Sequence, residues 1–184
     1  MRIHCLSLVT LAACASSSAT PTTTSAPDPS TVRVSTAAGS GSAVAITTHN
    51  SSDAKVSTLA YPVDQVWRVL PGVHDSLGVP ITIRDAANHL IGNEGLNLRR
   101  RLGNTNLDRF IDCGNTQGAP SANTYDVHLA VRTVVSADPA GSTLSTTVSA
   151  MAKPVSFSGD YVRCSSTGVL ESRIADGVRA RLRR

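Results

Sequence analysis

The clearest pattern in the chain is a strict alternation over residues 125–135. Tyr125, Val127, Leu129, Val131, Thr133 and Val135 fall on one side, and Asp126, His128, Ala130, Arg132 and Val134 on the other. A period of two marks a strand with one face turned inward. Asp138-Pro139-Ala140-Gly141 reads as the turn into a second run over residues 143–152, so the two runs predict an antiparallel hairpin. A different period governs the earlier part of the chain. Val63, Val66, Trp67, Leu70, Val73 and Leu77 share one helical face, with Pro62 suited to the first turn and Gly78 to the stop. Pro71 falls inside this run and removes a helical hydrogen bond, which predicts a kink or break near Leu70. Trp67 lies on the apolar side, where the sheet should cover it. Leu170, Ile174, Val178 and Leu182 recur every fourth residue and predict a terminal helix, with Ser166 or Thr167 as its cap and Glu171 in its first turn.

Shorter strand candidates fill the rest. Residues 31–36 and 43–48 read as a hairpin around Gly39-Ser40-Gly41-Ser42, to which residues 56–60 add. Others fall at 81–84, 89–91, 96–102 and 108–113. Strands, a helix, four or more antiparallel strands and a last helix define an α+β fold, an antiparallel sheet with a long helix and a C-terminal helix packed on one face.

The first residues follow another logic. Met1-Arg2-Ile3-His4 is a short charged start, residues 5–11 are apolar, and Leu11-Ala12-Ala13-Cys14 closes the run. The apolar stretch is too short to remain as a spanning helix and fits a processed signal peptide, residues 1–13. Leu-Ala-Ala-Cys resembles the lipobox of bacterial lipoproteins. That resemblance implies diacylglyceryl transfer to the Cys14 thiol, cleavage before it and acylation of the new amine. Two or three acyl chains hold a protein stably on a membrane. An ordinary secretory peptide cut near Ala13 is the alternative. Ala15 follows the cysteine, where inner-membrane lipoproteins of this type carry Asp; the analogy favours an outer membrane, with the body facing the periplasm, in a cell with two membranes. Apart from Asp28, residues 15–30 are Ser, Thr, Pro and Ala with no large apolar side chain, so residues 14–30 are expected to be a flexible tether. With Gly-like flexibility such a segment reaches roughly 20 to 25 Å. Residues 31–184 then form one domain.

Charge changes this picture little. Without Arg2 the chain has 16 basic and 13 acidic residues, an excess too small to name a partner. Aromatic side chains make up only 3% of the chain, which argues against a base-stacking surface, and no nucleic-acid partner is expected. Of the four cysteines, Cys5 lies in the signal segment and Cys14 would carry lipid, which leaves Cys113 and Cys164. In an oxidising compartment two remaining cysteines usually pair. A zinc site and a reactive thiol are the alternatives, and neither has CxxC spacing or a nearby His to support it.

A second resemblance rests on residues 63–95, VDQVWRVLPGVHDSLGVPITIRDAANHLIGNEG, followed by TYDVHLAVRTVV and the terminal helix. This run resembles the helix-grip domains of BamC-like outer-membrane lipoproteins. In that pattern a helix carrying a Trp leads through a Leu-Gly turn into a strand, an Arg-Asp pair and a hairpin. Trp67, Leu77-Gly78, Ile81 to Ile83 and Arg84-Asp85 occupy those positions. The resemblance implies a helix-grip-like fold and a link to outer-membrane assembly. The chain departs from it in having one such domain rather than two, and in carrying its cysteine pair.

Candidate chemistry is sparse. His74-Asp75 could pair a base with a carboxylate, but sequence neighbours do not face each other on a helix, and a solvated helix end is the plainer reading. Asp126, His128 and Arg132 share a strand face, either as a site or as ordinary surface. Arg99-Arg100-Arg101 and Arg173, Arg179, Arg181, Arg183 and Arg184 could meet phosphates; strand alternation turns Arg100 away from Arg99 and Arg101, arginines near the end of the last helix complement its dipole, and structural electrostatics is the simpler account. No nucleophile elbow, P-loop, HExxH, CxxC or dinucleotide fingerprint is present, so no cofactor, metal or catalytic residue is assigned. The expected protein is a non-catalytic envelope lipoprotein, an adaptor or structural module with an envelope protein as partner. The alternative is a carrier holding a small apolar ligand between helix and sheet, and a hydrolase using His and Asp stands last.

Overall fold

The structure, a computed structural model, describes residues 54–156 and 159–184. The signal peptide, Cys14, the tether and the hairpin expected over residues 31–48 lie outside these residues. In chain order the elements are β1 (Lys55–Leu59), α1 (Val63–Ser76), β2 (Ile83–Asp85), β3 (Leu90–Arg99), β4 (Arg101–Leu102) and β5 (Thr105–Asn106). A 3-10 turn (Leu107–Arg109) leads to β6 (Ile111–Asp112), β7 (Asn115–Thr116) and β8 (Ala119–Pro120), and a second one (Ser121–Asn123) to β9 (Tyr125–Asp138), β10 (Gly141–Pro154), β11 (Val162–Ser166) and α2 (Val169–Leu182). The main sheet runs β2-β3-β9-β10-β11-β6, all antiparallel. The far edge of β10 is shared: residues 142–146 pair with β1 and residues 150–152 with β11.

The period-two pattern of β9 and β10 sets the layers. Val127, Leu129, Val131, Thr133 and Val135 are buried, and the residues opposite them, Ala152, Ala150, Val148, Thr146 and Leu144, are buried too. Both helices lie on this face, in contact with β9 and β10 and with each other. The fold is therefore α+β, with an antiparallel sheet and two helices on one side, as the sequence pattern predicts. The helices come close because Gly177 of α2 faces Val73 of α1; a Cβ on Gly177 would lie 2.8 Å from the Val73 Cγ1 atom. Arg181 fastens the same contact by donating to the Gly72 carbonyl at 2.6 Å.

Several local expectations need correction. Helix α1 runs unbroken through Pro71 from Val63 to Ser76. The proline costs the helix one hydrogen bond, but Leu70 and Val73 beside it are 0% and 1% exposed, and their packing holds the helix across the gap. Its end follows expectation: Gly78 has φ 78° and donates to Asp75 at 3.0 Å, while Val79 donates to His74 at 3.0 Å, a Schellman closure. At α2 the N-cap position is Gly168, φ 74°, rather than Ser166 or Thr167. The tight turn from β11 demands a left-handed residue there, and the two hydroxyls flank it: Ser166 Oγ accepts from the Gly168 N–H at 3.0 Å.

The strands expected at 89–91 and 96–102 divide differently: residues 90–99 form one strand, β3, with a register shift between Asn93 and Leu96, and residues 101–102 form β4 beyond Arg100, which has φ 69°. Asn93 makes this bulge. Its amide donates to the Pro80 carbonyl at 2.8 Å and its oxygen accepts from the Gly95 N–H at 2.8 Å. The shift returns Leu96 to the buried side. The strand expected at 108–113 is a 3-10 turn followed by the two-residue β6. Trp67 is half-buried at the rim of the helix–sheet layer rather than under the sheet, edge-on to His89 at 5.5 Å with the Arg84 guanidinium 5.5 Å from its ring centre. Strand β2 is too short to extend the sheet over it.

Candidate functional site

The sheet face opposite the helices is where the sequence places Asp126, His128 and Arg132, and all three do lie there. They do not converge. Asp126 accepts from Arg99 on β3, with Nε at 2.9 Å and a terminal nitrogen at 2.7 Å, both on Oδ1. Arg132 stands 3.5 Å from Glu94 in the bulge of β3. His128 bonds through Nε2 to the Tyr161 hydroxyl at 2.8 Å, with ring centres 4.2 Å apart. Tyr161, just before β11, is the residue that sequence reading misses. It stands outside every periodic run, and it reaches His128 only because β11 returns beside β10.

These groups border an open cleft of about 530 Å³, lined by Asn97, Leu98, Arg99, Asp126, Val127, His128 and Tyr161. Lys153 adjoins it, opposite Asp126 in register and 4.7 Å from the Tyr161 ring centre. The arrangement offers hydrogen-bond donors, two cations and one carboxylate already held by Arg99. It contains no activated nucleophile and no base oriented by a carboxylate.

The other candidates serve the fold. His74 is fully buried, not solvated, while Asp75 is exposed, so the two do not act together. Nδ1 lies 3.1 Å from the Leu70 carbonyl, so Nδ1 carries the proton and donates, and Nε2 accepts from Thr133 at 3.3 Å. Thr133 is in turn 3.2 Å from Thr146. Burial pushes the His74 imidazole below its ordinary value of 6.5, against smaller opposing effects of the Leu70 carbonyl and Asp75. Asp85 of the Arg-Asp pair closes the turn between β2 and β3. Its carboxyl is held below the usual range first by the Asn88 side-chain amide at 2.6 Å, with the Asn88 and Ala87 backbone N–H groups adding to this.

The arginines do not form one patch. Arg100 takes φ 69° between β3 and β4, and Arg101 bonds Asn106 at 3.1 Å. On α2, Arg173 bonds Thr105 and lies over Phe110, Arg179 pairs with Asp176, and Arg181 holds Gly72. Each of these three has a structural partner.

Cys113 and Cys164 form a disulfide, with Cα atoms 4.4 Å apart. The bridge lies beside the β6–β11 pairing of Asp112 with Ser165, and fastens the loop-rich segment after β6 to the edge of the sheet. Among the described residues no group of three His, Cys, Asp or Glu is placed to hold a metal ion, and no helix is long and apolar enough to cross a membrane. No protein-family model matches the chain, and no curated protein matches it.

Proposed function

We infer that the chain is a lipid-anchored cell-envelope lipoprotein, held through Cys14, whose folded body acts as a non-catalytic adaptor or structural module for an envelope protein partner. The Leu-Ala-Ala-Cys sequence supports the anchor, and Ala15 supports an outer membrane with the body facing the periplasm. The resemblance of residues 63–95 to BamC-like domains supports a place in outer-membrane assembly. One observation carries the choice of adaptor over carrier. Leu70, Val73, Ile174 and Val178 of the helices, and Leu129, Val131, Leu144 and Val148 of the sheet, are each at most 1% exposed. A carrier of the helix-grip kind needs space between these residues, and here their side chains fill it.

The test combines lipid labelling with partner capture. Cells fed a labelled fatty acid should label the wild-type chain and not Cys14→Ser, and the variant should move to the soluble fraction. Cross-linking of the wild-type chain in intact cells should then trap a discrete envelope protein. Membrane retention of an unlabelled Cys14→Ser chain would contradict the anchor, and stoichiometric recovery of an apolar small molecule would contradict the adaptor.

A further inference from the structure

The outer sheet face carries two adjoining cross-strand rows. In one, Arg99, Asp126 and Lys153 stand side by side on β3, β9 and β10. In the next, Asn97, His128, Met151 and Arg163 run from β3 to β11. Adjacent strands lie about 4.8 Å apart, so the two rows make a compact patch. Tyr161 closes over it, with its hydroxyl on His128 and its ring beneath the Lys153 ammonium.

The charges of this patch do not cancel. The Asp126 carboxylate is matched by Arg99, which meets one oxygen through two nitrogens and keeps its third nitrogen for another acceptor. Lys153 and Arg163 form no ion pair among the described residues. Asp160, next to Tyr161, is exposed and forms none either. His128 Nε2 and the Tyr161 oxygen share a hydrogen bond at 2.8 Å whose direction follows the imidazole tautomer; in the Nε2-protonated form the phenolic O–H is left for a ligand. The cleft is thus lined by a guanidinium nitrogen, a phenol and the Asn97 amide, and the Lys153 ammonium stands beside it over the Tyr161 ring.

We propose that this cleft binds the phosphate group of a ligand, with Lys153 and Arg99 supplying charge and Tyr161 and Asn97 supplying hydrogen bonds. The phosphate belongs either to a lipid headgroup or to a free phosphate ester; both present the same oxygens.

The test follows the amide resonances of the full chain at low ionic strength while inorganic phosphate is added. Saturable shifts confined to residues 97–99, 126–128, 153 and 161 are expected. Lys153→Gln should weaken binding by about tenfold, the loss of one charge-assisted hydrogen bond. Arg132→Gln, on the same face but paired with Glu94, should leave it unchanged. Short-chain phosphatidylglycerol, kept below its micelle concentration, and glycerol 3-phosphate then separate the sources. The same resonances shift at the lower concentration of the short-chain lipid if the ligand is a lipid headgroup, and at the lower concentration of glycerol 3-phosphate if it is a free ester. Shifts spread over the whole basic surface, or shifts equal in wild type and Lys153→Gln, would overturn the proposal, as would no shift at all.

Discussion

Strands β9 and β10 present two faces that differ in everything except their backbone. Toward the helices, Leu129, Val131, Leu144 and Val148 are sealed, and even the polar residues there, Thr133, Thr146 and His74, bond to one another or to a helix carbonyl. One residue along, the other face holds Asp126, His128, Arg132 and Lys153, whose partners are surface ion pairs, a phenol and a cleft. Alternation lets one hairpin anchor the core and display chemistry at once. The inner face fixes where the strands lie, whereas on the outer face Tyr161 covers His128 and, among the described residues, no helix packs. The unoccupied charges are therefore found on the outer face, and the stability on the inner one.

The largest effect should come from neither face. Reducing the Cys113–Cys164 bridge, whose ends are 51 positions apart in sequence, should destabilise the fold by about 4 kcal/mol on the chain-entropy account. Denaturant titrations with and without reductant would measure it, and equal midpoints would mean that the bridge constrains nothing. Next, the two faces can be set against each other directly. Leu129→Ala, at 0% exposure, should cost roughly 2 to 5 kcal/mol, whereas Val56→Ala, 62% exposed on the outer side of β1, should stay within about 0.5 kcal/mol. Comparable losses at both positions would show that the outer face is also covered.

A pH effect of intermediate size belongs to the inner face. His74 is buried neutral and its folded value lies below 6.5, so the unfolded chain takes up a proton that the folded chain refuses. Stability should be full above that value, should fall as pH drops below it, and should level off once the folded imidazole also protonates. Melting temperatures from about pH 8 to about pH 5 should decline more steeply in wild type than in His74→Gln. Parallel slopes would remove His74 from the account. The smallest effect should be the Arg99–Asp126 pair, with side chains 60% and 33% exposed, where a double-mutant cycle should give a coupling of about 1 kcal/mol or less.

The comparison of faces also shows what the sequence could reveal. Periodicity alone located α1, α2 and the β9–β10 hairpin, because those elements bury one side of a long regular run. The disulfide was legible from the distribution of four cysteines. Other features depend on contacts distant in sequence. The bulge at Asn93 exists to reach the Pro80 carbonyl, and no local pattern announces it. His74 looks like a helix-end residue until Thr133, 59 positions away, is placed against it. The cleft was half visible: Asp126 and His128 stand out on one strand face, but their partners Arg99 and Tyr161 come from β3 and from the approach to β11. The Arg99-Arg100-Arg101 run forms no single patch, as alternation suggests, but its cause is the left-handed conformation of Arg100 that ends β3, which no local pattern announces.

The side chains between helices and sheet are buried, and the attachment through Cys14 is the proposal that goes with that filled layer. Native mass spectrometry of the chain extracted from its own membrane tests this most directly. The account predicts a mass carrying acyl chains on the Cys14 residue, the intact disulfide, and either the bare body or the body with a protein partner. An unacylated chain that retains one apolar small molecule per body would contradict it, because such a ligand has room only if the side chains between helices and sheet part to receive it.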